Sequence, residues 1–391
     1  MKRVIILLIT GLFYFSLHAQ QDIFQPKGIE SPVVNADHTV TFRIKAPGAD
    51  KVLVTGNLNS EKAFANISYE MQKGDNGVWS FTTQVLPSEL YRYHFEVDSV
   101  RTIDPGNAHV IRDVANISNI FIIEDGTADL YKVQQVPHGT VSFRWYESKG
   151  NDKNRRLTVY TPAGYENNKD KYPVLYLLHG VGGDEEAWLG TGRSAQIFDN
   201  LISQGKMVPA IVVMTNGNVV QEAAPGKGSN GLERPNFMLP HTMDGKFEET
   251  FQDVMDFVES NYRTINKKEG RAIAGLSMGG YHTAYISMNY PNKFDYIGLF
   301  SAAIGVRPGP TPPSYIYKDV DQKLTQQKEN GFKLYWIGIG SDDVLIYKGM
   351  QNFRKNLDEK GFKYEYLETE GGHTWNNWRN YLSVFSQKLF K

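Results

Sequence analysis

The first third of the chain carries short runs in which apolar and polar residues alternate one by one. Such alternation is typical of β-strands with one buried face. Turn-forming residues such as Gly48 and Gly77 separate the runs, and no stretch here has a helical period. We therefore predict a β-sandwich over residues 26–125. Its expected strands are residues 39–44, 51–56, 78–82, 91–97 and 119–123.

The pattern changes after a connector at residues 126–139, which contains Gly126, Pro137 and Gly139. Apolar runs of strand length now alternate with helical segments, of which residues 247–262 are the clearest. This alternation predicts an α/β domain over residues 140–391, with a mostly parallel sheet covered by helices on both faces. The expected strands are residues 140–146, 156–161, 174–178, 210–214, 271–274, 296–300, 333–339 and 364–367.

The first residues have the character of an export signal. A basic start, Met1-Lys2-Arg3, precedes an apolar run that ends near Leu17, and Ala19 supplies a small residue for cleavage. We predict a signal peptide at residues 1–19 and a secreted or periplasmic protein. Because the run is shorter than the roughly 20 residues that span a bilayer, we expect no membrane association after cleavage.

Composition and charge narrow the possible partners. The formal net charge is −1, and charged residues make up 22% of the chain. This balance gives no reason to expect nucleic acid as a partner. The chain has no cysteine, so it can form neither disulfides nor thiolate metal sites.

A candidate nucleophile lies in residues 271–280, which form a short apolar run, a Gly-x-Ser-x-Gly turn and the start of a helical pattern. Strand, sharp turn and helix in this order make up a nucleophile elbow. Gly275 and Gly279 would let the strand and helix approach closely. We predict Ser277 as the nucleophile. Because the motif is short and its residues are common, the prediction depends on finding a base and an acid.

Two histidines follow Ser277 in the chain. His282 lies one turn into the helix, so its side chain should point away from the serine. His373 lies in a glycine-rich loop after the last predicted strand. Hydrolases whose triad follows the chain order serine, acid, histidine place their base there. The acid should end the preceding strand, where Asp342 and Asp343 stand. We favour Asp343 as the acid and Asp342 as a helix cap or neighbour, although the sequence leaves both open.

The negative charge that forms on an ester carbonyl oxygen needs two backbone N–H donors. One should belong to Met278, directly after the nucleophile, and the other to Val181 in the glycine-rich loop after the third strand of the α/β domain. A phosphate-binding loop is the rival interpretation, but the loop lacks the Gly-Lys-Ser/Thr ending. No metal or organic cofactor is expected.

Several further motifs accompany the elbow. They are Val159-Tyr160-Thr161-Pro162, Leu177-Leu178-His179-Gly180, Gly182-Gly183-Asp184-Glu185, Trp188, Asn216-Gly217, Glu259-Ser260-Asn261-Tyr262-Arg263, Gly372-His373-Thr374-Trp375 and Trp378-Arg379. With these motifs, residues from about 136 to 391 resemble carbohydrate esterase family 1, which includes feruloyl and acetylxylan esterases. The resemblance implies an α/β-hydrolase fold and, as substrate, an ester on plant cell-wall polysaccharide. Val181 also aligns with a backbone donor position in the related mycolyltransferases.

The N-terminal region has a resemblance of its own, carried by residues 42–47, 77–79 and 91–95 and by Asp104-Pro105. It resembles the early-set, immunoglobulin-like domains grouped with the family-48 carbohydrate-binding modules, which implies a glycan-binding role. A spacer or a wall of the active site is the alternative. Trp79 lies within a predicted strand, so we expect it in the core rather than on a sugar-binding surface.

Specificity should come from the surroundings of the predicted triad. Residues 216–246 and 302–319 form two irregular stretches that could wall an acyl pocket. Trp188 and Trp375 are candidate substrate-binding residues, with core packing as the alternative for each.

The residues together predict a secreted serine esterase, and the resemblance implies feruloyl esters of (arabino)xylan as its substrate. An acetylxylan esterase is the first alternative. An acyltransferase, a peptidase or a non-catalytic glycan-binding protein on the same fold are the others.

Overall fold

A computed structural model describes residues 28–59, 66–306 and 314–391. The predicted signal peptide at residues 1–19 lies outside the described residues. Within the described ranges, no helix is both long enough and apolar enough to cross a lipid bilayer.

Two antiparallel sheets make up the described N-terminal region. Their strands are β1 (Val33–Val34), β2 (Val40–Lys45), β3 (Val52–Gly56), β4 (Ile67–Glu70), β5 (Gln72–Lys73), β6 (Val78–Thr82), β7 (Glu89–Val97), β8 (Val100–Thr102), β9 (Val110–Asp113) and β10 (Asn116–Ile123). One sheet has the order β1-β2-β6-β5. The other has the order β4-β3-β7-β10-β9, and β8 pairs with β7. The predicted strands are all present, and the additional ones are mostly too short to leave a periodic signal.

The core of this all-β region lies between the two sheets. On β7, the side chains of Tyr91, Tyr93 and Phe95 point inward and alternate with residues on the outer face. Phe42 of the other sheet packs against Tyr93, with ring centroids 4.7 Å apart. Trp79 is 5% exposed and belongs to this core, which confirms the prediction for that residue.

A third sheet of eight strands occupies the rest of the chain. Its strands are β11 (Thr140–Ser148), β12 (Lys153–Thr161), β13 (Val174–Leu178), β14 (Ile211–Thr215), β15 (Arg271–Leu276), β16 (Tyr296–Phe300), β17 (Leu334–Gly340) and β18 (Glu365–Thr369). The order is β11-β12-β14-β13-β15-β16-β17-β18. The pairs β11–β12 and β12–β14 are antiparallel, and the other five pairs are parallel. The prediction of a mostly parallel sheet is confirmed.

Helices cover both faces of the third sheet. They are α1 (Ala187–Gly190), α2 (Ser194–Ser203), α3 (Lys246–Glu249), α4 (Phe251–Asn261), α5 (Met278–Asn289), α6 (Val320–Asn330), α7 (Tyr347–Glu359) and α8 (Trp375–Ser386). Single 3₁₀ turns lie at Asp75–Gly77, Thr127–Leu130, Lys149–Asn151, Tyr165–Asn167, Lys268–Gly270 and Tyr315–Tyr317.

The helix predicted at residues 247–262 is wrong as one continuous element. It is broken at Thr250, whose φ of −98° and ψ of 6° leave the helical range. The Thr250 hydroxyl donates a hydrogen bond to the Lys246 carbonyl at 2.9 Å. A threonine that bonds the backbone of the preceding turn competes with the regular helical hydrogen bonds, which accounts for the break.

The all-β region docks on one face of the third sheet. Leu90 of β7 and Tyr131 belong to the same apolar cluster as Trp188 of α1 and Phe385 of α8. A buried ion pair crosses this contact, with Arg379 Nη2 lying 3.0 Å from a carboxylate oxygen of Glu89. The all-β region is thus held against helices α1 and α8.

Candidate active site

Ser277 lies on a strained turn between β15 and α5. Its φ of 52° and ψ of −115° fall in a region that residues other than glycine rarely adopt. A Cβ built on Gly275 would lie 2.4 Å from the Gly279 backbone, and one on Gly279 would lie 2.4 Å from the Leu178 carbonyl oxygen. Only glycine at both positions lets the turn close, and the serine hydroxyl therefore stands at the end of the strand.

His373 lies between Ser277 and Asp343. Its Nε2 is 2.9 Å from Ser277 Oγ, and its Nδ1 is 2.7 Å from Asp343 Oδ2. The Asp343 side chain is fully buried, whereas the His373 side chain is 22% exposed. The ring of Trp378 packs edge-on against the imidazole, with centroids 4.9 Å apart. In this arrangement the imidazole can accept the serine proton while the carboxylate stabilises the resulting positive charge.

The two adjacent aspartates have different surroundings. Asp343 contacts His373 through one oxygen, and its other oxygen accepts a hydrogen bond from the Ile346 N–H at 3.2 Å. Asp342 Oδ2 instead accepts from the Gly371 N–H at 3.3 Å. The structure therefore places Asp343 on the histidine, and Asp342 holds the loop that carries it.

His282, the other histidine after Ser277, lies away from this group. It is 1% exposed, and its Nδ1 lies 2.8 Å from Oε1 of Glu248 in α3. This placement agrees with the expectation that its side chain leaves along the helix.

Residues 179–186, here called the oxyanion loop after the role that the sequence predicts for them, run beside Ser277. Among the described residues, neither the N–H of Val181 nor that of Met278 donates a hydrogen bond to another protein group. Met278 is the first residue of α5, so its N–H has no partner within the helix. Two unused donors beside a serine hydroxyl could hold a negatively charged oxygen.

His179 fixes the start of the oxyanion loop. Its Nδ1 lies 2.7 Å from the Gly180 carbonyl oxygen, and its Nε2 accepts from the Gly217 N–H at 2.8 Å. Burial lowers the pKa of His179 to about 4. The imidazole is therefore neutral near pH 7, with one nitrogen donating and the other accepting.

A cavity of about 680 Å³ opens beside Ser277 and His373. Both irregular stretches predicted from the sequence contribute to its walls in their described parts. Their apolar residues on the cavity are Phe237, Met238, Met243, Ala303 and Val306. Its volume lies within the usual range for sites that take small organic molecules.

The remaining wall of the cavity comes from the all-β region. Arg92 of β7 and the hairpin formed by β9 and β10 line it, with Val110, Ile111, Arg112 and Val114. These residues were not predicted from the sequence, because β9 has only four residues and no recognisable motif. No pattern within the hairpin indicates that it lines the same cavity as the triad.

The two candidate tryptophans have different positions. Trp375 lines the cavity together with Trp378. Trp188 is 1% exposed, does not line the cavity, and donates from Nε1 to the Leu178 carbonyl oxygen at 3.0 Å. The expectation of a substrate-binding Trp188 is therefore corrected: its ring supports Trp375 from behind, with centroids 5.3 Å apart.

No three histidine, aspartate or glutamate side chains cluster as a metal site in the described ranges of the chain.

Comparison with known sequences shows which family the chain matches. Residues 148–389 match the family described as putative esterase. An endo-1,4-beta-xylanase/feruloyl esterase from Xylanibacter ruminicola is 31% identical over 93% of this chain, which covers 46% of that protein. An esterase from Mycobacterium tuberculosis is 30% identical over 69% of this chain and 63% of its own length. The chain thus spans only about half to two thirds of these relatives.

Solved structures agree with the fold. A CE1 ferulic acid esterase from Anaeromyces mucronatus has a TM-score of 0.55 and 25% identity, over 68% of this chain and 96% of its own. An enterobactin esterase from Shigella flexneri has a TM-score of 0.62 over 89% of this chain and 92% of its own, and at 15% identity it shows the fold alone. The third sheet and its helices have an α/β-hydrolase-like fold, as predicted from the sequence.

Proposed function

This chain belongs to the esterase family, a family of carboxylic ester hydrolases, and on that premise we propose that it cleaves esters with a Ser277–His373–Asp343 triad. The observation that carries the proposal is the continuous hydrogen-bonded path from Ser277 Oγ through both imidazole nitrogens to Asp343. The strained backbone at Ser277 supports it, because such strain is concentrated at functional positions.

The reaction begins with attack of Ser277 Oγ on the ester carbonyl carbon while His373 Nε2 takes the hydroxyl proton. The negative charge moves to the carbonyl oxygen, where the Val181 and Met278 N–H groups stabilise it. The tetrahedral intermediate collapses as His373 gives its proton to the leaving alcohol. Water then attacks the acyl-enzyme by the same route, releasing the acid and restoring the serine. Asp343 keeps the imidazole in the required tautomer throughout.

We propose a bulky, aromatic acyl group such as feruloyl as the substrate's acid part. The cavity beside Ser277 holds about 680 Å³ and has Trp375, Phe237 and Met238 on its walls. An acetyl group would fill only a small part of such a cavity and leave these apolar walls exposed to water. The names of the relatives from Xylanibacter and Anaeromyces support the same choice. The alcohol part would then be a plant cell-wall polysaccharide, reached by export through the signal predicted at residues 1–19.

For the N-terminal region, we propose the role of an active-site wall on an immunoglobulin-like, family-48-like module. Arg92 and the β9–β10 hairpin line the cavity, whereas Trp79 and the other aromatic residues of the resemblance, Phe42, Tyr91, Tyr93 and Phe95, are buried.

The triad is tested by Ser277→Ala, with Ser142→Ala as a control serine on β11. The first should remove hydrolysis of methyl ferulate and the second should leave it unchanged. Residual turnover by Ser277→Ala near the wild-type rate would overturn the mechanism. The acyl preference is tested by comparing methyl ferulate with acetylated xylan, and faster turnover of the acetyl ester would reject the feruloyl assignment.

A further inference from the structure

We propose that the β9–β10 hairpin of the N-terminal region holds the oxyanion loop in its working geometry, with Arg112 as the positioning residue. The inference rests on the proposed esterase function. It goes beyond a wall around the substrate, because it gives the N-terminal region a part in stabilising the transition state.

Arg112 connects the hairpin to the oxyanion loop. Its Nη2 lies 2.6 Å from Asp184 Oδ2, and its Nη1 donates to the Val114 carbonyl oxygen at 3.0 Å. The Asp184 side chain is 2% exposed, so its charge has little access to water. Its other oxygen accepts from the Glu186 N–H at 3.0 Å. One oxygen of this buried carboxylate thus binds Arg112 and the other binds the loop backbone. Without the arginine the carboxylate would carry an unpaired buried charge, and the loop would lose this support.

Val114 at the tip of the hairpin makes the second contact. Its φ is +55°, a rare conformation for a β-branched residue. A Cβ built on Gly182 would lie 2.7 Å and 2.9 Å from the two Val114 methyl carbons, so the valine packs directly on the backbone next to Val181. Strain of this kind persists only where surrounding contacts enforce it. Here the Arg112 bond to the Val114 carbonyl is one such contact.

The oxyanion loop needs support from both sides because glycines give it conformational freedom. Gly180, Gly182 and Gly183 surround the Val181 donor. On the catalytic-domain side, Asn218 Nδ2 donates to the Gly183 carbonyl oxygen at 2.8 Å, and His179 binds the Gly180 carbonyl. The hairpin closes the opposite side. An N–H donor that must first be brought into position contributes less to stabilising the negative charge that develops on the substrate oxygen.

The hairpin itself is fixed to its sheet by a charged contact. Arg92 Nη1 of β7 lies 2.5 Å from Asp113 Oδ2, next to Arg112 in sequence. The hairpin is thus joined to β7, and the cavity beside Ser277 is completed by two regions of the chain whose main cores are separate.

The test compares Arg112→Met, Arg112→Lys and Val114→Gly with wild type on methyl ferulate. We expect Arg112→Met to lower kcat by about tenfold or more, since small misplacements of catalytic groups have effects of this size. KM can change as well, because Arg112 and Val114 line the cavity, so the fall in kcat is the result that the positioning role requires. Arg112→Lys should restore part of kcat. Val114→Gly relieves the backbone strain, so it should leave the thermal midpoint near that of wild type while still lowering kcat.

An arylboronate inhibitor supplies a readout that a purely structural role would not move. It forms a tetrahedral, negatively charged adduct with Ser277, so its affinity should fall in proportion to kcat/KM in both Arg112→Met and Val114→Gly. Arg101→Met is the matched control: it removes an arginine that bonds the Ile117 carbonyl at 3.1 Å within the same region. This control should keep wild-type kcat.

The outcomes separate this inference from the proposed function. Wild-type protein without ester hydrolysis would reject the proposed function itself. An active wild type whose kcat and boronate affinity are unchanged in Arg112→Met and Val114→Gly would reject the positioning role alone. A rise in KM at constant kcat would also reject it, because the hairpin would then act only as a wall.

Discussion

The buried histidine of the oxyanion loop, His179, should cause the protein to lose stability in mild acid. Burial lowers the pKa of its imidazole to about 4 in the folded chain, against about 6.5 in an unfolded chain. Below pH 6.5 the unfolded chain therefore binds a proton that the folded chain does not. The free energy of unfolding keeps this contribution in full above about pH 6.5 and loses it as the pH falls towards about 4.

The size of the loss follows from the gap between the two pKa values. The gap is about 2.5 pH units, and each unit corresponds to about 1.4 kcal/mol, which gives a total of about 3 kcal/mol. The structural cause is the burial of His179, which is 2% exposed. In addition, its Nε2 is occupied, because it accepts from the Gly217 N–H at 2.8 Å. A proton on Nε2 would remove this acceptor and place a charge in a fully buried position.

Urea unfolding of wild type and His179→Gln between pH 7.5 and 4.5 measures the effect. Glutamine offers an acceptor oxygen that does not titrate in this range. On acidification, wild type should lose about 2 to 3 kcal/mol more than the variant. His109→Gln, which replaces an exposed histidine, serves as the control and should follow wild type. Parallel pH curves for wild type and His179→Gln would refute the assignment of the acid sensitivity to this residue.

Three further predictions concern the triad, the turn and the tryptophans. Asp343→Asn should lower kcat for methyl ferulate about 10⁴-fold, because the imidazole loses its orienting carboxylate. An unchanged thermal midpoint would show that the variant is folded, and a wild-type kcat would contradict the triad. Gly279→Ala should destabilise the fold by at least about 1–3 kcal/mol in urea unfolding, since its Cβ would lie 2.4 Å from a backbone oxygen. Gly48→Ala, which meets nothing within 4 Å, should be neutral, and equal effects at both positions would reject the steric argument. Trp188→Ala should cost about 3–5 kcal/mol of stability as a core truncation. Trp375→Ala removes a ring that is buried and also lines the cavity, so it should lower stability and raise KM as well; a rise in KM for Trp188→Ala at unchanged stability would restore Trp188 as a substrate contact.

Local patterns in the sequence were sufficient for the elements and for the order of the candidate triad. Alternation marks strands such as β7 because one side of each strand must be buried, and this requirement holds wherever the strand lies in the fold. The elbow around Ser277 is also a local feature, since Gly275 and Gly279 act on backbone only a few residues away. The fold class and the strand–turn–helix context of Ser277 therefore followed from the sequence.

Contacts between distant parts of the chain required the tertiary structure. Asp342 and Asp343 are equivalent neighbours in sequence, and only the position of the histidine loop brings Asp343 onto His373. Trp188 and Trp375 are both buried aromatic residues, and only the tertiary packing shows that Trp375 also lines the cavity whereas Trp188 does not.

The part of the cavity wall that the all-β region supplies is revealed only by the tertiary structure. Arg112 and Asp184 are 72 residues apart and meet because the two regions dock through Leu90 and the Arg379–Glu89 pair. A four-residue strand such as β9 carries no periodic signal, and docking depends on the shape of whole surfaces rather than on local pattern. The sequence by itself determined which chemistry the elbow can perform, and the docking of two separate cores decided what surrounds it.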